Sequence, residues 1–364
     1  MLSYSDWKDI LKNERLPTAV VDLDAFDRNT EKIAKILTGK KQKLRIATKS
    51  IRVPALIERV LKSGSPYSGI MCYSAEEAFY LAGKGVSQDI LIAYPTVQKR
   101  DLILLREIHE RGIDIKLTVD NFAAIQAVER AMKGSTRPFR LVLDVDMSLR
   151  YLGGLIHLGV RRSPIRSKRN LVELIQKVQG NINSSQVEIA GMMGYEAQVA
   201  GLGDRNPFKK WINPIAACIR RLSVKAGAKY REDLAKTFME QGLKLEFFNG
   251  GGTGSLNYTV QEDRLTEVTA GSGLLCSHLF DYYSNIQFEP ACFFALQVVR
   301  QSDPGFATCL GGGYIASGEP GWDRVPVPYL PENSQWVGTE GCGEVQRPLK
   351  IGQRGEPLGL LFDR

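Results

Sequence analysis

The sequence predicts an α/β protein: a TIM-type (β/α)8 barrel joined to a small, mostly β C-terminal domain. Three observations carry this reading. Eight short, apolar, β-rich runs occur between residues 44 and 273, helix-like stretches separate them, and beyond about residue 285 the helical period gives way to Gly- and Pro-rich text with short β-like runs. Regular alternation argues for a parallel sheet, and a count of eight argues for its closure into a barrel. The competing doubly wound sheet has a Gly-rich turn after its first strand. Here the first strand is followed by Lys49-Ser50-Ile51-Arg52, without glycine.

Taken in order, the strands are LRIATK (44–49), GIMCYS (69–74), DILIAYP (89–95), IKLTVD (115–120), FRLVLDVD (139–146), VEIAGMMGYE (187–196), LEFFNGGG (244–251) and TEVTAGSG (266–273). VPALIERVLKSG, AEEAFYLAGKG, TVQKRDLILLREIHERG and NFAAIQAVERAMKG follow the first four as helices, each ending in a glycine near the expected stop. Ser74 with Glu77 three residues on has capping-box spacing. LPTAVVDLD (16–24) and ACFFALQVVRQ (291–301) read as strands outside the barrel. The expected division is therefore a barrel over residues 25–284 and a β domain built from both chain ends, 1–24 and 285–364. The last segment, RPLKIGQRGEPLGLLFDR, stops directly after an apolar run. A natural terminus usually frays in polar sequence, so a truncated or atypical end is expected.

The composition, 43% hydrophobic and 24% charged over 364 residues, is that of a globular protein able to bury a large core. The formal net charge is +8, but the basic residues are scattered. Their only local crowd, RRSPIRSKR from Arg161 to Arg169, lacks interleaved aromatics. The surplus reads as a solvated surface plus an anion site, with no nucleic-acid partner. Six cysteines, at 72, 218, 276, 292, 309 and 342, form no CxxC pair and suit free thiols in a reducing cytosol. The N-terminus has early acidic residues and no signal-peptide pattern, and no window reaches the ~18 apolar residues of a membrane span. A soluble, cytoplasmic protein is expected.

Lys49 ends the first barrel strand, and the C-terminal ends of barrel strands face the active site. A lysine partly desolvated there has a lowered pKa and an amine nucleophilic toward an aldehyde. Alone, Lys49 reads better as a surface lysine. Two glycine runs change that. FFNGGGTGS (247–255) and TAGSG (269–273) follow strands seven and eight, where such barrels hold phosphate. Glycine lets main-chain N–H groups approach an anion closely, and Thr253 and Ser272 add hydroxyl donors. One such loop is an ordinary tight turn; two, opposite a lysine ending strand one, make a specific constellation.

PTAVVDLDAFDRN followed by RIATKS resembles the start of the alanine-racemase-like (fold type III) pyridoxal-phosphate enzymes. HLGVRRSP (157–164), GMMGYEAQVAG (191–201), FFNGGGTGS, EVTAGSGLLCSHLFDYY (267–283) and GCGEVQRPL (341–349) resemble its D-threonine aldolase and D-serine dehydratase branch, often labelled amino acid deaminase or aldolase. The resemblance runs from about residue 16 to about 349. It implies that Lys49 carries pyridoxal 5'-phosphate as a Schiff base and that Tyr195 faces the cofactor. It implies further that Gly251, Gly252 and Thr253, with Gly271, Ser272 and Gly273, hold the phosphate. Arg162 falls where the group often has an arginine near the cofactor ring, Arg161 being one residue away; either reads equally as a solvated basic loop. His157 reads better as a loop histidine than as a substrate contact. Members of the group are usually head-to-tail homodimers with the site at the interface.

The branch also places metal ligands, a histidine followed by Asp or Cys, near the C-terminus. This chain has only His109, His157 and His278. His278 with Cys276 or Asp281 is loosely ligand-like, and a turn explains those residues as well, so no metal site is assigned. The expected function is a pyridoxal-phosphate-dependent lyase acting on a small D-3-hydroxy amino acid, by retro-aldol cleavage or by dehydration and deamination. A racemase is the alternative; it needs a second base, for which Tyr314 or Tyr329 could serve. A degenerate cofactor-binding protein is the third reading.

Overall fold

The computed structural model describes residues 2–151, 155–311, 321–338, 340–341, 345–351 and 360–363. The strands, in chain order, are β1 (Thr18–Val21), β2 (Lys43–Ala47), β3 (Tyr67–Cys72), β4 (Asp89–Ile92), β5 (Asp114–Val119) and β6 (Phe139–Asp144). A short hairpin follows, β7 (Leu149–Tyr151) and β8 (Ile156–Leu158), and then β9 (Val187–Gly194), β10 (Phe247–Gly250) and β11 (Glu267–Ala270). The last are β12 (Cys292–Arg300), β13 (Phe306–Leu310), β14 (Pro328–Leu330), β15 (Gln335–Trp336), β16 (Gln346–Lys350) and β17 (Leu360–Asp363). The chain divides into two compact units, one of residues 32–202 and 214–272, the other of residues 1–31, 203–213 and 273–364.

The first unit is the barrel. Its strands close in the order β10-β11-β2-β3-β4-β5-β6-β9, every pair parallel. All eight sequence-predicted strands are present, each shorter than the run that announced it. The four helices after the first four strands are Pro54–Lys62, Ala75–Gly83, Lys99–Glu110 and Phe122–Ala131. Each is followed by a glycine in the left-handed region, at φ +78°, +71°, +86° and +84° for Gly64, Gly85, Gly112 and Gly134. The expected capping box at Ser74 is half made. Ser74 accepts the Glu77 N–H, but the Glu77 carboxylate turns to Tyr73 N–H and to Thr48 instead.

The barrel interior is layered along the strands. At its foot Arg45 pairs with Glu267 (2.6 Å) and Asp89 (2.9 Å), and Lys116 with Asp89 (2.9 Å) and Asp114 (2.6 Å). Burial alone would lower the affinity of Arg45 for its proton, but Glu267 and Asp89 overcome it and hold the guanidinium charged. Above lies an apolar layer of Leu91, Val142, Met193 and Phe247, with Met71 and Ala93. The mouth beyond that layer, at the C-terminal strand ends, carries the groups described below.

The second unit is an antiparallel sheet in the order β14-β17-β12-β13-β16-β15, with β1 also paired to β12. The N-terminal helix Tyr4–Leu11, capped by Ser3 and Asp6, packs Trp7 and Leu11 against Phe293 and Ala295 of β12. Among the described residues no helix is long and apolar enough to cross a membrane.

Candidate active site

β2 stops at Ala47, and Thr48–Ser50 form a 3-10 turn that carries Lys49 at the barrel mouth, where the sequence predicts a continuing strand. Two contacts fix the turn. Thr48 Oγ1 lies 2.8 Å from Glu77 Oε2 and 3.0 Å from the Met71 carbonyl. Arg52, in the left-handed region at φ +57°, donates from Nε to the Lys49 carbonyl at 3.1 Å. The Lys49 side chain is exposed, not partly desolvated as the strand end suggests. It does not wander into solvent: its Nζ is 3.0 Å from the Tyr94 hydroxyl.

From there a chain of contacts closes around the mouth. The Arg162 guanidinium lies 5.9 Å from the ring centre of Tyr94 and 5.5 Å from that of Tyr195, both within cation–π range. This separates Arg162 from Arg161, which makes no comparable contact among the described residues. Burial pushes the Tyr195 phenol up to about 12, so it stays protonated. Tyr195 packs on Gly252, where an added Cβ would meet its Cε2 at 3.2 Å. The next residue, Thr253, brings the two glycine turns together: its Oγ1 accepts the Gly271 N–H at 3.4 Å and lies 3.3 Å from Ser272 Oγ. Gly271 returns the path to Lys49, since a Cβ there would stand 2.6 Å from the Ala47 carbonyl oxygen.

Behind the first glycine turn sits a buried ion pair that sequence reasoning missed. Arg231, on the helix Asn213–Glu240, pairs with Glu196 and with Glu262 (2.5 Å) and donates to the Gly194 carbonyl at 2.9 Å. Glu196 also accepts from Gly251 N–H (3.2 Å), Ser255 Oγ (2.7 Å) and Thr259 Oγ1 (2.7 Å). Burial works against its carboxylate, but Arg231 and the two hydroxyls overcome it and hold the pKa below the ordinary value. The Gly251 amide, expected to face a phosphate, is therefore committed to Glu196. What position 251 requires of glycine is its φ of +83°. The Gly252 N–H likewise reaches Ser255 Oγ at 3.1 Å.

Asp144, at the end of β6, is only 8% exposed and accepts no hydrogen bond at its carboxylate among the described residues. Burial pushes it up to about 7 against the pull of Arg162, and Asp120 and Asp146 add to the rise. The remaining predicted residues lie as follows. Gly273 is buried on the short helix Ser272–Leu275. His157 is opposite Arg150 in the β7–β8 hairpin, partly buried, on a strand and not in the expected loop. His278 is buried and packs edge-on against Tyr282. Tyr329 stacks on Phe293 at 4.8 Å inside the β unit. Tyr314 and most of the GCGE stretch lie outside the described residues. Among the described residues no group of three or more His, Cys, Asp and Glu could hold a metal ion.

Tyr94 and Asp144 had a signal that could have found them. Each stands at or just beyond the end of a barrel strand, where side chains face the mouth. Arg231 had none, because a charged residue in a long helix reads as a solvated face.

Known proteins resemble this chain in sequence and in fold. The family model for the alanine racemase N-terminal domain matches residues 21–232. The D-threonine aldolase of Arthrobacter sp. is 25% identical over 301 residues, 81% of this chain and 71% of that protein. The D-threo-3-hydroxyaspartate dehydratase of Delftia sp. is 29% identical over 141 residues, 38% of this chain and only 36% of that one. Among solved structures, the D-threonine aldolase from Filomicrobium marinum superposes with a TM-score of 0.78 at 20% identity, covering 96% of this chain and 86% of its own.

Proposed function

The chain belongs to the alanine racemase N-terminal domain family, and from that membership we propose that it is a pyridoxal-phosphate-dependent lyase acting on D-3-hydroxy amino acids. The observation that carries the proposal is the closed path at the mouth. It runs from Lys49 through Tyr94, Arg162, Tyr195, Gly252, Thr253 and Gly271 back to the Lys49 turn. The similarity to D-threonine aldolase and D-threo-3-hydroxyaspartate dehydratase supports the substrate class.

The residues suit the cofactor. Gly252 and Gly271 both stand where a Cβ would clash, at 3.2 Å from Tyr195 and 2.6 Å from the Ala47 carbonyl oxygen, so glycine lets both turns pack closely at the mouth. The Thr253 and Ser272 hydroxyls converge on the same point. Lys49 would hold the cofactor covalently through Nζ, Thr253, Ser272 and Gly273 would take its phosphate, and Arg162 and Tyr195 would flank its ring. When bound, pyridoxal phosphate takes up the electron pair left as a bond at Cα breaks. The protein's part is to orient that bond and to move protons. In a dehydration, Lys49 Nζ would accept the Cα proton; in a retro-aldol cleavage, a base must accept the proton of the β-hydroxyl.

The test is direct. The protein is incubated with pyridoxal phosphate, reduced with borohydride and digested, and the labelled peptide is identified by mass. The label is expected on Lys49 and is expected to vanish in Lys49→Ala; a label retained in that variant removes Lys49 from the role. Turnover of D-threonine, followed as aldehyde against ammonia release, then separates cleavage from deamination. Exchange of the α-hydrogen with inversion, and neither product, would favour a racemase.

A further inference from the structure

Lys49 is exposed at the mouth, yet its amine has one hydrogen-bond partner among the described residues, the Tyr94 hydroxyl at 3.0 Å. No described carboxylate lies within ion-pair distance of it. This is a different arrangement from the lysine and arginines at the barrel foot. There Arg45, Lys116 and Arg140 are each held by two or more carboxylates. A carboxylate accepts only, so it can take an N–H from the amine in either state but cannot donate to the lone pair of the neutral amine. A phenol both donates and accepts. It can accept an N–H from the ammonium and donate its O–H to the lone pair of the neutral amine, keeping Nζ aimed in both states. A lysine that attacks an aldehyde must pass through the neutral state.

Tyr94 is itself positioned by its surroundings. It lies two residues past β4, partly buried, with the Lys49 ammonium 5.7 Å and the Arg162 guanidinium 5.9 Å from its ring centre. Two cations near one ring leave the hydroxyl as the group facing the amine.

We propose that Tyr94 is a catalytic residue of this site, the acid–base partner of Lys49. When a substrate amine replaces Nζ, the incoming nitrogen must lose a proton and the departing Nζ must gain one. Tyr94 serves both needs. Its O–H proton passes to Nζ, and the phenol is restored by the proton given up by the incoming nitrogen, so no net proton is taken from solvent. The proposal rests on the functional reading above, and its test separates the two.

Tyr94→Phe keeps the ring and removes only the oxygen. Three quantities are measured for parent, Tyr94→Phe and the surface control Tyr80→Phe, a residue 54% exposed. They are the rate at which pyridoxal phosphate becomes borohydride-trappable on Lys49, kcat and KM for D-threonine, and the thermal melting curve. The expected result is trapping slowed tenfold or more, kcat down by about 10²-fold with KM changed little, and melting like the parent, the scale being that of general acid–base catalysis. Tyr80→Phe is expected to match the parent throughout. Parental trapping and turnover in Tyr94→Phe overturn the proposal and leave the functional reading standing. A Tyr94→Phe variant without a melting transition also overturns it, by assigning the hydroxyl to the fold. If the parent itself cannot be trapped on Lys49, the functional reading and this proposal fall together.

Discussion

Replacing Arg231 by methionine is the sharpest available perturbation of the scaffold behind the glycine turns. The substitution keeps an apolar stem of similar length and deletes the guanidinium, which is 1% exposed. It removes the pairs to Glu196 and Glu262 and the bond to the Gly194 carbonyl. Breaking a buried pair from one side costs about 3–5 kcal/mol, because the orphaned charge has no water to turn to. Glu196 keeps three donors, Gly251 N–H, Ser255 and Thr259, which places the loss near the lower end, about 3 kcal/mol. For a unit of this size that is a drop of roughly 6–12 °C in melting temperature. The loss has a sign in pH. In the parent, Glu196 is held below its ordinary 4.5, so its contribution is present above that pH and is lost as the pH falls. Without Arg231, burial raises it, the folded state binds the proton more tightly, and stability falls as pH rises. The gap between variant and parent should therefore widen from pH 5 to pH 8 in thermal melts. Adding Glu196→Gln should recover part of the loss at pH 8, since the deeper of the two orphaned carboxylates is then neutral and only Glu262, 12% exposed, is left without Arg231. A gap below about 1 kcal/mol, or one that is the same at both pH values, refutes the reasoning.

Two further outcomes follow from the same geometry. Asp144, pushed up to about 7 chiefly by burial, makes the folded state favour the proton, so it lowers stability as pH rises from about 4 to 7. Asp144→Asn should remove that fall and gain up to about 4 kcal/mol above pH 7, read as urea midpoints at pH 4.5 and pH 8; a pH-independent difference would count against it. Gly271→Ala puts a Cβ 2.6 Å from the Ala47 carbonyl oxygen, which should cost about 1–3 kcal/mol and weaken pyridoxal phosphate binding at least tenfold in an absorbance titration.

The barrel was legible because its signal is repetition. Eight apolar runs alternating with helices survive an error of two or three residues at any boundary, such as the strand predicted through Lys49 that in fact stops at Ala47. The lysine and the two glycine turns were legible because each sits at a strand end, and strand ends are countable. What escaped depends on distance across the chain. Glu196 and Arg231 are 35 residues apart and meet only because β9 and the helix Asn213–Glu240 pack together. Glu77 shows the same limit at short range. Its spacing from Ser74 fits a capping box, yet its carboxylate is drawn to Thr48, a residue from another strand end. Spacing ranks the partners within one element; packing chooses among elements.

The distribution of charge along the barrel axis joins the fold to its proposed chemistry. Near the foot, every interior cation is met by carboxylates: Arg45 by Glu267 and Asp89, Lys116 by Asp89 and Asp114. That cluster is internally neutralised and has little left to attract a ligand. At the mouth, Lys49 and Arg162 face tyrosine rings and form no salt bridge among the described residues. Asp144 is near enough to feel Arg162, but burial keeps it largely protonated at pH values below about 7, so it offers that guanidinium little negative charge there. Two cations against aromatic faces, beside two glycine turns that bring hydroxyls together, leave a local deficit of negative charge. In the proposed function a phosphate monoester would supply that charge and would offer acceptor oxygens beside the Thr253 and Ser272 hydroxyls. The cations at the foot are thus paired with carboxylates, whereas Lys49 and Arg162 at the mouth form no salt bridge among the described residues and are left to attract an anion.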